Sequence, residues 1–313
     1  MDVIVLAGGF GTRLRPWTSH MPKPLVPILD RAMIEHVVDV LPESVVTRVL
    51  IAAGYGIEKM RIHFEEMSLP YDVVIVEETE PLGTGGAIAN CRPYLSGGTV
   101  CVINGDLLTS LQVEKMLVQH REDGNSVTIS LWEVEDPSRF GVADFDSVSR
   151  KIQRFQEKPP RDEAYSNLIN AGTYLIEPEL FEEMPLGRFS IERDLYPHVA
   201  ESGRLGGFPF EGWFVDAGTP PSYIEAVQTS IRHRRHRNGE IERDNWTLSD
   251  IHDRVIGSSI SHDVVISENA EVINSAILNG CKIEDGSRVK DCMIGSGSVV
   301  SLGAKIEGVV VDF

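Results

Sequence analysis

Apolar and polar positions follow two different patterns along this 313-residue chain. In the first pattern, short apolar runs rich in β-branched residues alternate with stretches whose apolar residues recur every three or four positions. The runs at 3–7, 48–53, 73–76 and 100–103 predict buried strands, and the stretches between them predict helices. Strands that alternate with helices indicate an α/β domain built on a mostly parallel sheet.

The second pattern begins after residue 250. From Ile260 to Val311, aliphatic residues recur in steps of six, six and five, three times over, so that one repeat takes 17 residues. Helical periodicity does not give these steps, whereas a three-sided β-solenoid of the hexapeptide type does. We therefore predict a first domain over residues 1–237, a polar linker over 238–250 and a solenoid over 251–313.

The composition narrows the classes of partner. The net charge of −18 predicts a surface that repels nucleic acid and anionic membranes, so neither is expected as a partner. No apolar run approaches the ~20 residues of a membrane span, and Met1-Asp2 leads directly into a strand, so we expect a cytoplasmic protein without a signal peptide. Four cysteines lack metal-type spacing and are expected to be reduced thiols: Cys91, Cys101, Cys281 and Cys292.

The first candidate site follows the strand predicted at 3–7, which runs into Gly8, Gly9 and Gly11. A buried strand that ends in glycines presents backbone N–H groups at the carboxyl edge of the sheet, where open α/β sheets bind ligands. Glycine lets this backbone approach a phosphate closely. Polyphosphate is therefore the expected ligand, and the nearby Arg13 and Lys23 supply positive charge for it.

Two familiar glycine loops fit this segment poorly. Position 14 is Leu where the dinucleotide fingerprint requires glycine, and the P-loop sequence is absent. The sequence GGFGTRLRP at 8–16, followed by PKP at 22–24, instead resembles the signature of the sugar-1-phosphate nucleotidyltransferases. The simpler interpretation, a structural turn after a strand, is disfavoured because so many positions match this signature.

The resemblance implies an enzyme that joins a nucleoside triphosphate to a sugar 1-phosphate and releases pyrophosphate. It also implies a Rossmann-like, mostly parallel mixed sheet with helices on both faces. Arg13, aided by Lys23, is expected to act on the pyrophosphate that leaves. The residues expected at the nucleotide are Leu6, Ala7, Gly8, Gly9, Gly11, Thr12, Arg13, Lys23, Pro81, Gly83, Thr84, Gly85 and Asp106.

A second glycine loop, EPLGTGGAI at 80–88, follows a strand and opens a helix. By itself it is only a helix start, but in the family a loop at this place contacts the base. Its form resembles the guanylyltransferase members that act on mannose or heptose 1-phosphate. Together with the solenoid it predicts GTP as the nucleotide and GDP-mannose as the product. A thymidylyl- or uridylyltransferase acting on glucose 1-phosphate remains the alternative.

Two aspartates are candidates for a metal site. Asp106 comes just past a predicted strand end, where a carboxylate facing the glycine loop would suit Mg²⁺ bridging phosphates. A turn-capping aspartate is the simpler interpretation of the same position. The sequence WFVDAGTP at 213–220 resembles the family's W-x-D-x-G-T-P motif, which makes Asp216 the second ligand. We therefore expect Mg²⁺ as the cofactor, held by Asp106 and Asp216.

The sugar phosphate is expected to bind a third group of residues. In FQEKP at 155–159, Glu157 can accept hydrogen bonds from sugar hydroxyls and Lys158 can bind a phosphate. As bare sequence, this pair is most often a solvated loop, but it resembles the family's E-K-P motif. The residues assigned to the sugar phosphate by this resemblance are Gly141, Glu157, Lys158, Asn170, Gly172 and Thr173. Lys158 is expected to be catalytic together with Arg13, Lys23 and Asp106.

The solenoid resembles the left-handed parallel β-helix that many sugar nucleotidyltransferases carry at the C-terminus. A stack of three coils leaves ends that need covering, so we expect a homo-oligomer with contacts through it. The solenoid could itself be an acyltransferase, but its three coils from Ile260 to Val311 are few and contain a single histidine, His262. A catalytically silent subunit that binds nucleotide sugars is the other alternative. Against it, the five charged positions of the predicted site are all occupied by functional residue types.

Overall fold

The computed structural model describes residues 1–67 and 69–312. They form two compact units. The first comprises residues 1–9 and 37–214, and the second comprises residues 10–36 and those from 215 onwards. The division of the chain at 237 and 250 stays a prediction.

Eight α-helices and twenty-six strands lie in the described residues. The helices are α1 (Trp17–His20), α2 (Met33–Val38), α3 (Ile57–Glu65), α4 (Gly83–Asn90), α5 (Val113–Glu122), α6 (Pro178–Glu183), α7 (Tyr196–Glu201) and α8 (Pro220–Arg232). The strands up to residue 216 are β1 (Asp2–Leu6), β2 (Pro27–Ile28), β3 (Arg31–Ala32), β4 (Arg48–Ala53), β5 (Asp72–Glu77), β6 (Val100–Asn104), β7 (Leu107–Thr109), β8 (Val127–Glu133), β9 (Gly141–Asp146), β10 (Lys151–Glu157), β11 (Leu168–Ile176), β12 (Leu205–Pro209) and β13 (Phe214–Asp216).

The remaining strands are short. They are β14 (Glu240–Glu242), β15 (Asn245–Thr247), β16 (Val255–Ile256), β17 (Ser259–Ile260), β18 (Val265–Ile266), β19 (Glu271–Ile273), β20 (Ala276–Ile277), β21 (Lys282–Ile283), β22 (Arg288–Lys290), β23 (Met293–Ile294), β24 (Val299–Val300), β25 (Lys305–Glu307) and β26 (Val310–Val311). Short 3₁₀ turns lie at Thr12–Leu14, Lys23–Leu25, Arg92–Tyr94 and Arg161–Glu163, and a π-helical turn lies at Ile191–Leu195.

The first unit is built on a nine-stranded sheet in the order β5-β4-β1-β6-β11-β8-β12-β10-β9. The strands β5, β4, β1 and β6 are parallel, as the alternation of strands and helices predicted. Beyond β6 the sheet is mainly antiparallel. The β9–β10 connection is too short for the crossover that a parallel pair needs. The predicted α/β class with a mixed, Rossmann-like sheet is confirmed.

Three of the four predicted strands, β1, β4 and β6, are buried on both faces of the sheet, whereas the edge strand β5 is mostly of intermediate exposure. Val3, Ile4 and Val5 of β1 are fully buried, and so are Leu50 of β4 and Val102 of β6. A strand covered on both faces needs a continuous apolar run rather than an alternating one. The sequence runs therefore located these strands to within about one residue.

The solenoid predicted after residue 250 is a parallel β-helix with three sides. Ile260, Ile277, Ile294 and Val311 pair in succession, so each step of the ladder is one 17-residue repeat. The side chains of Ile260, Ile277 and Ile294 are fully buried in its core. Two further ladders, β16-β19-β22-β25 and β18-β21-β24, form the other sides. The left hand of the coil stays a prediction.

The last α-helix ends at the start of the basic run RHRRHR at 232–237. Helix α8 begins with a capping box between Thr219 and Ser222 and ends at Arg232. The basic run beyond it turns back: Arg235 donates from its guanidinium to the carbonyl of His36 at 2.9 Å. Arg235 is of intermediate exposure because it binds this neighbouring segment, whereas Arg232, His233, Arg234 and Arg237 of the same run are exposed. Within the described residues, no helix combines the length and apolar character that crossing a membrane requires.

Candidate active site

The predicted site residues differ widely in exposure. Those exposed to solvent are Gly9, Thr12, Arg13, Pro81, Gly83 and Lys158. Those of intermediate exposure are Leu6, Gly8, Gly11, Lys23, Thr84, Asp106, Glu157, Asn170 and Asp216. Those that are buried are Ala7, Gly85, Gly141, Gly172 and Thr173.

In the first unit, Asp106 lies at the sheet edge where β1 and β6 end. The two strands are parallel neighbours, so their carboxyl ends meet at one edge. The N–H of Gly105 donates to the carbonyl of Leu6 at 2.9 Å. A Cβ on Gly105 would lie 2.8 Å from that same oxygen, so only glycine permits the approach. The backbone of Asp106 is thereby placed beside the start of the glycine turn, and the role of its carboxylate as a metal ligand stays a prediction.

Glu78 is a carboxylate of this turn that the sequence analysis did not identify. It is only 8% exposed, and its side chain occupies the space that a Cβ on Gly8 would need. Burial raises the pKa of Glu78, and a hydrogen bond from the N–H of Leu82 partly offsets the rise. A buried carboxylate that does not face another charge is unusual for structural reasons alone, and it marks a candidate functional group.

In the second loop, the space that side chains on the glycines would need is filled by other residues of the first unit. Gly83 has a φ of +72°, which favours glycine. A Cβ on Gly85 would overlap the ring of Phe189, and one on Gly86 would overlap the carbonyl of Gly187. The N–H groups of Gly85 and Gly86 donate to the carbonyl of Phe189 at 3.2 and 3.4 Å. Thus the helix start at α4 is capped by the segment around Phe189.

The hydroxyl of Thr84 is likewise engaged inside the protein. It donates to the carboxylate of Glu192 at 2.5 Å and accepts from the N–H of Ile191 at 3.2 Å. The hydroxyl of Ser190 donates to the same Glu192 oxygen at 2.7 Å. Thr84 was predicted as a nucleotide-binding residue, and that role stays a prediction. What the structure describes is a link from α4 to the turn at 190–192.

Lys158 and Glu157 adjoin each other at the end of β10. The ammonium of Lys158 lies 3.0 Å from the carboxylate of Glu157. Lys158 has a φ of +51°, and its N–H donates to the carbonyl of Phe140 at 3.0 Å. A left-handed conformation at a residue with a Cβ costs about 1 kcal/mol, and such strain concentrates at functional sites. A Cβ on Gly141 would overlap the ring of Phe155, which explains the glycine there.

The predicted sugar-binding segment at 170–173 forms a bulge in β11. The register against β8 shifts between Asn170 and Tyr174. The amide oxygen of Asn170 accepts from the N–H of Gly172 at 2.9 Å, and its NH₂ donates to the hydroxyl of Tyr174 at 3.0 Å. Gly172 has a φ of +71°, and a Cβ there would lie 2.6 Å from the side-chain nitrogen of Asn104. Bulges of this kind re-aim side chains next to active sites.

The charges of two carboxylates act on a pair of buried tyrosines beside this bulge. Burial raises the pKa of Tyr174 far above its usual value, and the charges of Glu192 and Glu157 raise it further. Burial also raises the pKa of Tyr196, followed by its contacts with Tyr174 and Glu192. The rings of Tyr174 and Tyr196 are 5.5 Å apart. Glu157 and Glu192 are therefore near enough to both tyrosines for their charges to raise the pKa values of the two hydroxyls.

In the second unit, Gly11 brings Lys23 against the turn that carries Arg13. Gly11 has a φ of +61°, and its carbonyl accepts from the hydroxyl of Thr18 at 2.8 Å and from the N–H of Leu14 at 2.9 Å. A Cβ on Gly11 would lie 2.9 Å from the Cβ of Lys23. The turn at 12–14 and Lys23 are therefore packed on either side of a residue that must be glycine.

Asp216 approaches the same lysine. A Cβ on Gly218 would lie 2.9 Å from a carboxylate oxygen of Asp216 and 3.5 Å from the ammonium of Lys23. The absence of a side chain at Gly218 thus leaves space that both charged groups border. The sequence predicted each of these charged residues separately, and the second unit brings Lys23 and Asp216 together.

The donor chemistry of Asp106 and Asp216 fits a hard divalent cation. Magnesium is commonly held by one or two carboxylates, with substrate phosphates and water completing its octahedron. No group of three or more histidine, cysteine, aspartate or glutamate side chains able to hold a metal is found in residues 1–67 and 69–312. The assignment of Asp106 and Asp216 to one metal ion stays a prediction.

Comparison with known families decides the class of this protein. The family model described as "Nucleotidyl transferase" matches residues 2–232, which include the glycine turn, both candidate metal ligands and the Glu157–Lys158 pair. The chain belongs to the nucleotidyl transferase family. As a member, it is an enzyme that handles a nucleotide, as the signature at 8–16 predicted.

Relatives are similar to this nucleotidyl transferase over its whole length. Mannose-1-phosphate guanylyltransferase 1 of Arabidopsis thaliana is 31% identical over 100% of this chain and 86% of its own. The mannose-1-phosphate guanylyltransferase catalytic subunit beta of Danio rerio is 31% identical over 99% of this chain and 90% of its own. These alignments extend over the β-helix as well as the catalytic region.

Solved structures resemble the nucleotidyl transferase over about three quarters of the chain. HddC from Yersinia pseudotuberculosis, complexed with GMP-PN, superimposes with a TM-score of 0.62 at 30% identity and covers 73% of this chain and 98% of its own. UDP-glucose pyrophosphorylase complexed with UDP-glucose has a TM-score of 0.67 at 23% identity, covering 74% of this chain and 99% of its own. The second likeness supports the fold alone.

The sequence analysis missed Glu78, Glu192 and the two tyrosines. For Glu78 a signal existed, because side chains two apart on a strand share a face. Continuing Val74 and Val76 by two residues places Glu78 on their side of the sheet, and an acidic residue there is unexpected. For Glu192 there was no comparable signal. Ser190, two residues before it, caps the turn at Ile191–Leu195, and this is the ordinary role of a serine at such a position.

Proposed function

We propose that this nucleotidyl transferase transfers a guanylyl group from GTP to mannose 1-phosphate, which forms GDP-mannose and pyrophosphate. The similarity to mannose-1-phosphate guanylyltransferases of Arabidopsis thaliana and Danio rerio supports this choice of substrates. The PLGT sequence at 81–84 supports it as well.

The observation that carries the choice of base is Glu78. Its carboxylate lies against Gly8, at the turn where the nucleotide is expected, and is 8% exposed. An ionised carboxylate only accepts hydrogen bonds. Guanine presents two donors side by side, its N1–H and its N2 amino group. Uracil and thymine present one N–H between two carbonyl oxygens, which a carboxylate would repel. A buried acceptor left unpaired disfavours these bases strongly.

The remaining residues are proposed to position and neutralise the reacting groups. The phosphate oxygen of the sugar phosphate attacks the α-phosphorus of GTP in line, and pyrophosphate leaves without a covalent intermediate on the enzyme. Arg13 and Lys23 bind the phosphates that leave, and the backbone of Gly8, Gly9 and Gly11 accommodates them. Lys158 binds the phosphate of the sugar substrate.

The sugar hydroxyls are proposed to bind Glu157 and Glu192. The charges of both carboxylates raise the pKa values of Tyr174 and Tyr196, whose hydroxyls therefore remain protonated. Asn170 and the backbone of Gly141, Gly172 and Thr173 complete the predicted sugar set. A site of this kind offers several acceptors, which suits a ligand rich in hydroxyl groups.

Asp106 and Asp216 are proposed to hold Mg²⁺, which would neutralise charge on the phosphates when bound. Asp216→Asn should then lower turnover at least about a hundredfold, equivalent to ~2.7 kcal/mol of transition-state stabilisation. The variant should keep the circular dichroism spectrum of the wild type. Undiminished turnover in the presence of EDTA would contradict the metal assignment.

The experiment that tests the function measures pyrophosphate release across four nucleoside triphosphates and several sugar 1-phosphates. The largest kcat/KM is expected for GTP with mannose 1-phosphate. A preference for dTTP or UTP with glucose 1-phosphate would replace the proposal by the alternative named from the sequence. Absence of release with every pair would favour a silent regulatory subunit, which equilibrium binding of GDP-mannose would then test.

Two further predictions concern the protein's surroundings. We propose that it forms a homo-oligomer whose contacts involve the β-helix, and that it acts in the cytoplasm. Light scattering after size-exclusion chromatography measures the first. A full-length monomer at micromolar concentration would contradict it.

A further inference from the structure

The segment that carries Arg13 and Lys23 is bound to the β-helix inside the second unit. The indole N–H of Trp17 donates to the carbonyl of Val311 at 2.8 Å. The side chain of His20 lies 3.2 Å from the carboxylate of Asp312. Trp17 begins α1, only a few residues beyond the turn at Thr12–Leu14.

The acceptor of the Trp17 bond is held rigidly by the stack. The carbonyl of Val311 also accepts from the N–H of Gly295, at 3.1 Å, in the coil below. Trp17 itself is fully buried, and its ring packs edge-on to that of Tyr223 with centroids 5.6 Å apart. The hydroxyl of Tyr223 in turn donates to the carbonyl of Pro27. Because its N–H is bonded to Val311 and its ring packs against Tyr223, the buried indole has little freedom to move.

The same segment is anchored a second time at Asp30. The carboxylate of Asp30 accepts from the N–H of Asn238 at 2.6 Å and from the N–H of Arg237 at 3.1 Å. The carbonyl of Asn238 accepts from the indole N–H of Trp246 at 2.9 Å, next to the first coil. The segment therefore runs along the β-helix and is held at both ends, with Trp17 at the end nearer to Arg13.

We infer that Trp17 is a positioning residue: through its bond to Val311, the coil that contains β26 fixes the turn that presents Arg13 to the triphosphate. The inference rests on the proposed role of Arg13 in binding the nucleotide. Arg13 is exposed, so its placement depends on its backbone rather than on packing of its own side chain. Small displacements of a group that positions a substrate produce large losses of rate.

The test compares two substitutions that remove the same chemical group. Trp17→Phe and Trp246→Phe each delete an indole N–H that is bonded to a backbone carbonyl, from a fully buried tryptophan of the second unit. Only the first bond lies beside the turn with Arg13. We expect Trp17→Phe to raise the KM for GTP about fivefold, and Trp246→Phe to change it less than about twofold. The KM for mannose 1-phosphate should be unchanged in both variants.

Arg13→Ala is the reference that separates the two proposals. If Arg13→Ala leaves the KM for GTP unchanged, the role of Arg13 is wrong, and the inference fails with it. If Arg13→Ala raises that KM while Trp17→Phe and Trp246→Phe behave alike, the inference alone is overturned. Should Trp17→Phe fail to fold, Asp312→Ala decides, because it removes the exposed second contact. It should raise the KM for GTP about twofold, and an unchanged KM would overturn the inference.

Discussion

Two glycine loops look alike in sequence, but Gly9 of the first loop differs from Gly85 and Gly86 of the second in what surrounds its Cβ position. At Gly9 an added Cβ would meet nothing within 4 Å, so the backbone faces open space. At Gly85 and Gly86 an added Cβ would overlap the ring of Phe189 or the carbonyl of Gly187. Gly9 therefore keeps space free for a ligand, whereas the Cβ positions of Gly85 and Gly86, like those of Gly8 and Gly11 in the first loop, are filled by the protein's own chain.

This difference changes the meaning of the PLGT sequence. The sequence analysis assigned Pro81, Gly83, Thr84 and Gly85 to the nucleotide as a group. The contacts suggest a division instead, in which Gly85 secures α4 against the Phe189 segment. A glycine close to a site can thus be required for a contact that the ligand never makes. The following predictions test that division, from the largest expected effect to the smallest.

Gly86→Ala should destabilise the protein by about 3 kcal/mol, because its Cβ would overlap the backbone oxygen of Gly187, which cannot move aside as a side chain can. This loss exceeds the ~1 kcal/mol that alanine gains over glycine inside a helix. Urea unfolding measures the change. A variant as stable as the wild type would contradict the difference described above, since the Cβ position of Gly86 would then be open like that of Gly9.

Glu78→Gln should lower kcat/KM for GTP about a hundredfold, or ~2.7 kcal/mol, and should reduce the preference for GTP over UTP. Replacing one carboxylate oxygen by an NH₂ group removes an acceptor from the guanine edge. Kinetic constants for both nucleotides test this. An unchanged ratio of the two would mean that Glu78 does not contact the base.

The pKa of Glu78 adds a second readout. Because burial raises that pKa, the protonated form is favoured by folding, and its contribution to stability is lost as pH rises through the folded pKa. Gln cannot ionise, so Glu78→Gln should raise the Tm at neutral pH, with a difference that shrinks in acid. The raised pKa also predicts how activity depends on pH. As the pH is lowered, the kcat/KM of the wild type for GTP should begin to fall at a higher pH than it would if Glu78 had the usual pKa of a glutamate.

Gly9→Ala should leave stability unchanged within ~0.5 kcal/mol and lower kcat/KM for GTP about tenfold, because its methyl group would enter the space reserved for the phosphates. Gly98→Ala is a matched control: that glycine is also exposed, with nothing within 4 Å of its Cβ position. The control should retain full activity. Equal activity in the two variants would show that the first loop is open without being a binding surface.

Thr84→Val should have the smallest effect on catalysis. Its hydroxyl already bonds Glu192 and Ile191, so its loss should lower stability by about 1 kcal/mol while the KM for GTP changes less than about twofold. Thr84→Ser keeps the hydroxyl and should restore most of the stability. A KM for GTP that rises tenfold in Thr84→Val alone would return Thr84 to the nucleotide site.

The features found from sequence are those that a local pattern determines. Continuous apolar runs located β1 and β4 because burial on both faces demands them, and the six-six-five spacing located the β-helix because each step is one side of a coil. The packing of Gly85 could not be found this way. Its partner Phe189 lies about a hundred residues away in sequence, and nothing in either segment records the contact. The bond between Arg235 and the carbonyl of His36 is another contact of this kind, since the two residues are 199 apart in sequence.

The anchoring of residues 17–30 at both ends has a consequence for how the gene can change. The number of coils in the β-helix sets the distance between the two anchor points, because each added coil would move the carbonyl of Val311 by about 4.8 Å, the spacing of neighbouring strands. The chain from Trp17 to Asp30 has a fixed length and would not follow. Insertion or deletion of a whole 17-residue repeat, which a solenoid by itself tolerates well, should therefore be selected against in this protein unless the segment between Trp17 and Asp30 changes length with it.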